Sequence, residues 1–138
     1  MPRRQAAEPR WVARVVVEAM HLDQLRAHGG LPGIRDENAL EAALARARNK
    51  WAYDRTTDLA ALGAAYAFGV VTTHPFRDGN KRLAFLTMVV FLGLNGYDLD
   101  APESDVVSIM VAAADHRATE AQLTAWIRAH MVRLPRSR

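Results

Sequence analysis

The stretch HPFRDGNKRLAFLTMVVFLGL, residues 74–94, places a polar loop directly before the most apolar run of the chain. From Leu83 to Leu94 this run contains no charged residue, and it stops at Asn95-Gly96. A helix that is apolar on every side is stable only where other elements cover it. The pattern therefore predicts a helix from about Gly79 to Leu94, buried at the centre of a bundle. The run is too short to span a bilayer.

Helix start and stop signals on both sides of this stretch predict five more helices. The first runs from about Val12 to His28 and ends at Gly29-Gly30. The others begin at or near Asp36, Asp58, Pro102 and a Thr119-x-x-Gln122 capping box. No alternating run marks a sheet, although Tyr97–Leu99 is predicted as a short extended piece. The predicted fold is all-α, a compact bundle of about six helices in which the central hydrophobic helix follows the polar loop.

The basic charge of the chain belongs to its ends. The 138 residues carry a formal net charge of +3, with a balance of +2 in residues 1–10 and +3 in residues 133–138. The body between them is therefore slightly acidic, at −2. This predicts a basic N-terminal tail (1–10), one domain (11–133) and a basic C-terminal tail (134–138). It also argues against a broad surface for direct nucleic-acid binding.

Several classes of function are excluded or disfavoured by composition. The chain has no cysteine, which excludes thiolate catalysis, disulfides and Cys-ligated zinc. No apolar stretch follows the N-terminal arginines, so no secretory signal is predicted and a cytoplasmic location is expected. His21 and His28 lie seven residues apart on the first helix with no ligand partner at suitable spacing, so no metal site is predicted there. The three tryptophans are predicted to pack in the core.

The loop of residues 74–82 concentrates the chemistry of the chain. It leads into a helix N-terminus, where backbone N–H groups lack partners and the helix dipole is positive. Gly79 allows a ligand to approach that backbone closely. Lys81 and Arg82 stand in the first turn, where the dipole favours acids instead. Cations in this position indicate a bound anion, for which phosphate is the most common choice.

Two further residues of the loop have side chains suited to the transfer of a group from a nucleotide. Asp78 offers the hard oxygen that Mg²⁺ prefers, and the His74 imidazole can accept a proton from an attacking hydroxyl. Phe76 is predicted to turn into the core and position the loop. Together these residues predict phosphoryl or nucleotidyl transfer. A purely structural alternative for Asp78 is that it caps the N-terminus of the following helix.

The nine residues His-Pro-Phe-Arg-Asp-Gly-Asn-Lys-Arg at 74–82 resemble the signature H-x-F-x-[DN]-[AG]-N-K-R of the Doc (death on curing) toxins of the Fic superfamily. The segment GGLPGIRD, residues 29–36, resembles the loop that family members place over the active site. The resemblance covers most of residues 18–132. It implies a toxin of a type II toxin–antitoxin system. Such a toxin transfers the γ-phosphoryl group of ATP to a Ser or Thr hydroxyl of a translation factor, elongation factor Tu, and halts translation.

The resemblance also implies roles for individual residues. His74 would be the general base, Asp78 would hold Mg²⁺, and Phe76 would position the loop. The nucleotide phosphates would be bound by Gly79, Asn80, Lys81 and Arg82. The flap that docks the target chain would comprise Gly30, Leu31, Pro32, Gly33, Ile34 and Arg35, for which a purely structural turn is the alternative. The implied partner is an antitoxin of the prevents-host-death type that binds through its C-terminal segment, and nucleic acid would be bound only through this antitoxin.

Two alternatives to the kinase remain. In the AMP-transferring Fic enzymes the signature reads H-P-F-x-x-G-N-G-R-x-x-R, and this chain departs from it at Lys81 and Phe85. Both departures resemble the Doc branch, so the resemblance favours phosphoryl transfer over AMP transfer. The second alternative is a non-enzymatic protein that only binds its antitoxin.

Overall fold

A computed structural model describes residues 7–135 and contains six helices and two short strands. The predicted tail residues 1–6 and 136–138 lie outside the described part. In chain order the elements are α1 Arg14–His28, α2 Glu37–Tyr53, α3 Leu59–Thr73, α4 Asn80–Leu94, β1 Tyr97–Leu99, α5 Glu103–Ala114, α6 Glu120–His130 and β2 Met131–Arg133. The predicted all-α bundle of about six helices is confirmed.

Three of the predicted helix starts carry the expected side-chain caps. Asp36 accepts a hydrogen bond from the Ala39 N–H at 3.0 Å, and Asp58 accepts one from Ala61 at 2.9 Å. Thr119 forms a complete capping box at the start of α6. These caps satisfy N–H groups that a helix leaves unpaired at its first turn, so local sequence signals were sufficient to place α2, α3 and α6.

The helix before the polar loop, α3, is the most enclosed element of the bundle. Ten of its 15 residues are buried, against seven of 15 in α4. The expectation that α4 is covered on every side is therefore corrected, because one of its faces is only half-buried. Small residues explain the position of α3. A Cβ atom added at Gly69 would lie 3.2 Å from the Ala43 Cα of α2, so α2 packs directly against the α3 backbone.

A small antiparallel sheet closes the end of the bundle away from the loop. β1, the predicted extended piece, pairs with β2, in the register Tyr97↔Arg133 to Leu99↔Met131. β2 was not predicted, since a three-residue strand is too short to show a pattern. Nearby, Asn95 binds the Arg10 backbone through both its amide oxygen and its amide nitrogen, and the Leu134 N–H donates to the Gly96 carbonyl. The described structure thus extends ordered contacts into both predicted tails.

Aromatic side chains hold α1 and the chain before it onto the core. Trp11 packs against Trp51 and Phe91, with ring centroids 6.2 Å and 5.9 Å away, and the Tyr66 ring lies 5.1 Å from that of Phe91. Trp126 also packs against the core, so the prediction for the tryptophans is confirmed. Within residues 7–135, no helix combines the length and apolarity needed to cross a membrane.

Candidate active site

The candidate site is built on the junction between α3 and α4. His74 ends α3 in the left-handed conformation, with φ 49° and ψ 60°, and Gly79 precedes α4 with φ 77°. The intervening loop is closed by Asn80, whose side-chain oxygen accepts the Phe76 N–H at 3.1 Å and whose amide nitrogen donates to the Phe76 carbonyl at 2.9 Å. The Asn80 amide is buried and holds the loop backbone from below, an observed role beside its predicted contact with phosphate.

Phe76 turns into the core as expected. There it contacts His21, a residue to which the sequence assigned no functional role. The Phe76 side chain is buried, and its ring stacks on the imidazole of His21 at a centroid distance of 3.9 Å. The His21 Nε2 atom lies 2.9 Å from the Asp78 carbonyl oxygen. Since a carbonyl oxygen only accepts, Nε2 carries the proton and donates. No local pattern identifies this contact, because 57 residues separate the partners.

The Asp78 carboxylate bridges the loop and the predicted flap. One oxygen accepts the N–H of Gly79 at 2.9 Å, and the other accepts that of Leu31 at 3.3 Å. The structural alternative that Asp78 caps α4 is wrong. Gly79 holds the N-cap position of α4, and no side chain caps the helix.

The predicted flap, Gly30 to Arg35, lies along this loop. The Arg77 N–H donates to the Gly33 carbonyl at 3.1 Å, and the Arg35 N–H donates to the Pro75 carbonyl at 2.8 Å. Ile34 forms an antiparallel bridge with Phe76. The flap and the loop therefore form one hydrogen-bonded unit, although the predicted docking of a target chain is not tested by these contacts.

Arg35 has an additional role that sequence reasoning missed. Its guanidinium donates to the His74 carbonyl at 2.7 Å and to the Thr73 carbonyl at 2.6 Å. These carbonyls stand at the C-terminus of α3, where a helix lacks internal donors and its dipole is negative. Arg35 therefore fixes the backbone that carries the His74 imidazole.

The first turn of α4 carries cations without matching acids. Lys81 and Arg82 are exposed. Across residues 7–135, no carboxylate lies within ion-pair distance of either, or of Arg77. Over the same residues, no acceptor takes the N–H groups of Asn80, Lys81 and Arg82. Positive charge and unpaired donors thus coincide at one helix end, which makes it a suitable site for an anion.

A cavity of about 960 Å³ opens over this helix end. Its polar wall includes the predicted residues His74, Asp78, Gly79, Asn80, Lys81 and Arg82. Phe76 lies beneath the loop, and none of the flap residues is part of the wall. The rest of the lining is mostly apolar and comes from Phe85 and Leu86 of α4 and from one side of α5, including Val106, Val107 and Met110. This apolar lining and the contribution of His28 to the cavity were not predicted, since both depend on how α1 and α5 pack.

The donor set fits a magnesium ion that arrives with a nucleotide. In the described part of the chain, no group of three or more His, Asp and Glu residues could hold a metal. Asp78 is the one acidic residue of the 74–82 loop. Mg²⁺ is commonly bound through one or two carboxylates together with substrate phosphates and waters. Asp78 beside an anion site matches that arrangement, whereas a resident all-protein metal cage does not fit.

Comparison with known proteins places the chain in a family. The model of the Fic/DOC family matches residues 11–92, which include α1 to α3, the loop and most of α4. The chain is also similar to a protein of Escherichia phage P1 described as "Protein kinase doc". The two are 36% identical over 97 residues, which cover 70% of this chain and 75% of the phage protein.

Proposed function

Because the chain belongs to the Fic/DOC family, we propose that it is a toxin of a type II toxin–antitoxin system and a protein kinase. The proposed reaction transfers the γ-phosphoryl group of ATP to a Ser or Thr hydroxyl of a translation factor, elongation factor Tu, so that translation halts. The name of the phage relative supports kinase chemistry in this branch of the family. The partner proposed for control is a prevents-host-death antitoxin that binds through its C-terminal segment.

The observation that carries the proposal is that His74 and the α4 N-terminus face one cavity. The imidazole of His74 is exposed there, and so are the cations Lys81 and Arg82 with the unpaired N–H groups of the same helix turn. Catalysis of phosphoryl transfer consists mainly of positioning the reactants and stabilising charge on the phosphoryl oxygens. A base that lines the same cavity as an anion site supplies both requirements.

In the proposed reaction His74 acts as the general base. Its imidazole accepts the proton of the target hydroxyl while the hydroxyl oxygen forms a bond to the γ-phosphorus. The bond between that phosphorus and the β–γ bridging oxygen breaks, and ADP leaves. Arg35 holds the His74 carbonyl, so the backbone under the imidazole stays fixed while the side chain reaches the cavity.

The phosphates are proposed to bind against the first turn of α4. Lys81 and Arg82 would offset their negative charge, and the free N–H groups of that turn would donate to their oxygens. Mg²⁺ held by Asp78 would neutralise further charge on the phosphoryl oxygens. Asn80 contributes by keeping the loop closed through its two bonds to Phe76. The apolar wall of Phe85 and α5 offers a surface for the less polar part of the nucleotide.

The alternative reaction, AMP transfer, is disfavoured by the residues at the two divergent signature positions. Lys81 and Phe85 both line the cavity, so each departure bears on whatever occupies it. Lys81 adds a charge where the AMP-transferring signature has glycine, and Phe85 is apolar where that signature has arginine. We therefore expect the γ-phosphate, rather than the α-phosphate, to stand beside His74.

The test uses ATP labelled at either the γ- or the α-phosphate, with purified elongation factor Tu as acceptor. We expect label on the factor only from γ-labelled ATP, with a requirement for Mg²⁺. His74→Asn should reduce the rate by at least about 10²-fold. Asparagine suits this position because it tolerates the left-handed conformation that His74 adopts.

His116→Asn is the matched control, because His116 is also left-handed, with φ 59°, and lies outside the cavity. This variant should retain wild-type labelling. Label transferred from α-labelled ATP would instead establish AMP transfer. The absence of any transfer by the wild-type protein, together with growth arrest that persists in His74→Asn, would favour a non-enzymatic binding protein.

A further inference from the structure

His21 is one of only two buried residues of α1, the other being Val17. Its ring lies between the helix and the loop, stacked on Phe76 and hydrogen-bonded to the Asp78 carbonyl. A Cβ atom added at Gly79 would stand 3.8 Å from the His21 Nε2, so the imidazole lies directly beneath the start of α4. A polar side chain in this position contributes more than apolar packing.

The hydrogen bond from His21 acts on one particular peptide group, that between Asp78 and Gly79. The carbonyl of this group is held by His21 Nε2, and its N–H donates to the Asp78 carboxylate. A planar trans peptide points its C=O and N–H in opposite directions. Holding the carbonyl down toward α1 therefore directs the Gly79 N–H away from α1, toward the carboxylate of a residue that lines the cavity.

We propose that His21 is a positioning residue that sets the orientation of the Asp78–Gly79 peptide, and through it the anion site and the Asp78 carboxylate. This role rests on the proposed function, since it assumes that the loop binds phosphate. Glycine restricts its backbone least, so Gly79 itself offers little steric resistance to a different orientation of this peptide. Loss of the His21 donor would let the Asp78–Gly79 peptide flip. The Gly79 N–H and the Asp78 carboxylate would then leave their positions at the cavity.

Two substitutions separate the hydrogen bond from the packing. His21→Gln places an amide nitrogen near the position of Nε2 and keeps a donor. His21→Phe keeps an aromatic ring against Phe76 but has no donor. We expect the glutamine variant to keep kcat within about threefold of wild type. The phenylalanine variant should lose at least about tenfold in kcat with a smaller change in the KM for ATP, because misplacing reacting groups affects the transition state most.

Tyr66→Phe is the matched control for loss of stability alone. The Tyr66 hydroxyl accepts a buried hydrogen bond from the Val12 N–H at 3.1 Å, two residues before α1 and away from the cavity. Its removal should lower the melting temperature and leave kcat unchanged. The proposal is wrong if folded His21→Phe keeps wild-type kcat. It is also wrong if the glutamine and phenylalanine variants are impaired equally, since packing would then explain the effect.

Two measurements by NMR test the positioning without relying on kinase activity. In the wild-type protein, the ¹⁵N shifts of His21 should show a protonated Nε2 at neutral pH, and a proton on Nδ1 alone would contradict the hydrogen bond. Amide exchange at Gly79 should be faster in His21→Phe than in wild type or His21→Gln, and equal rates in all three would overturn the proposal. If the wild-type protein transfers no phosphate, the proposed function fails while these measurements still decide the role of His21.

Discussion

The first turns of α4 and α6 have opposite constructions. α6 begins with a capping box, in which the Gln122 N–H donates to the Thr119 hydroxyl at 3.1 Å and the Thr119 N–H donates to the Gln122 side chain at 2.8 Å. Its first residue, Glu120, has the charge that the helix dipole favours and binds Arg46 and Lys50 of α2. The start of α6 is thus satisfied by the protein itself.

α4 follows a left-handed glycine at its N-cap position and has no side-chain cap. Its first turn carries two cations, where the helix dipole favours acids. Within residues 7–135 these cations have no carboxylate partner. Both helix starts bring together positive charge and N–H donors, but at α6 a carboxylate and a hydroxyl complete the set. The two helix starts therefore differ in charge pairing rather than in charge alone, and this difference is the reason that we propose a ligand anion for α4 and a purely structural role for the start of α6.

The strongest test of this comparison removes the two cations found at each helix start, which are Lys81 and Arg82 of α4 and the α2 residues Arg46 and Lys50 that bind the first residue of α6. We expect Lys81→Gln with Arg82→Gln to lower kcat/KM for ATP by about 10²- to 10³-fold, because these side chains are proposed to stabilise the charge that develops in the transition state. The melting temperature should stay the same or rise, since cations oppose the dipole at that end. Kinetics with γ-labelled ATP and thermal unfolding give the two readouts.

Arg46→Gln with Lys50→Gln provides the control for the α4 pair. The same number of charges is removed, but these residues lie outside the cavity and bind Glu120. This variant should lose stability and keep its activity. Equal loss of activity in both double variants would show that overall charge, rather than the unpaired cations at α4, supports the reaction.

A smaller effect is expected from Thr119→Ala, which removes the hydroxyl of the capping box. Loss of such a cap costs about 1 kcal/mol of folding free energy, which corresponds to a fall of about 4 °C in the melting temperature. Catalysis should be unchanged, because α6 does not line the cavity. Urea unfolding and γ-phosphoryl transfer would check the two parts, and a kinase defect without unfolding would contradict the structural role given to α6.

The smallest expected effect is the contribution of Glu120 to the pH dependence of folding stability. Burial raises the pKa of this carboxyl, but hydrogen bonds from Lys50 and Arg46 outweigh burial and bring the pKa below its ordinary value of 4.5. A carboxyl with a lowered pKa in the folded state stabilises the fold above its unfolded pKa, and this stabilisation is lost as the pH falls through the folded value.

Glu120→Gln should therefore be less stable than wild type at neutral pH. The difference should be about 0.5 kcal/mol, because the two cations are partly exposed. The gap between the two proteins should narrow as the pH falls below 4.5 and vanish in stronger acid. Chemical unfolding at a series of pH values measures this gap, and a gap that stays constant into acid would show that Glu120 is not the group responsible.

Local signals were enough where the relevant partners are close in sequence. The caps at Asp36, Asp58 and Thr119 each act within three residues, and they placed three helices correctly. By contrast, Arg35 reaches the His74 carbonyl across 39 residues, and His21 reaches Asp78 across 57. No local sequence pattern indicates either contact, so the sequence predicted no partner for His21.

The sequence by itself determined the helical class, most helix limits, and the segment of residues 74–82 that carries the residue types of the proposed phosphoryl transfer. Only the tertiary structure decided that α3 is the most enclosed helix, that His21 lies beneath the Asp78–Gly79 peptide, and that α5 forms the apolar wall of the cavity. The physical reason is range. Capping and turn formation depend on neighbours a few residues apart, whereas these arrangements depend on which helix faces bury each other once the whole chain has packed.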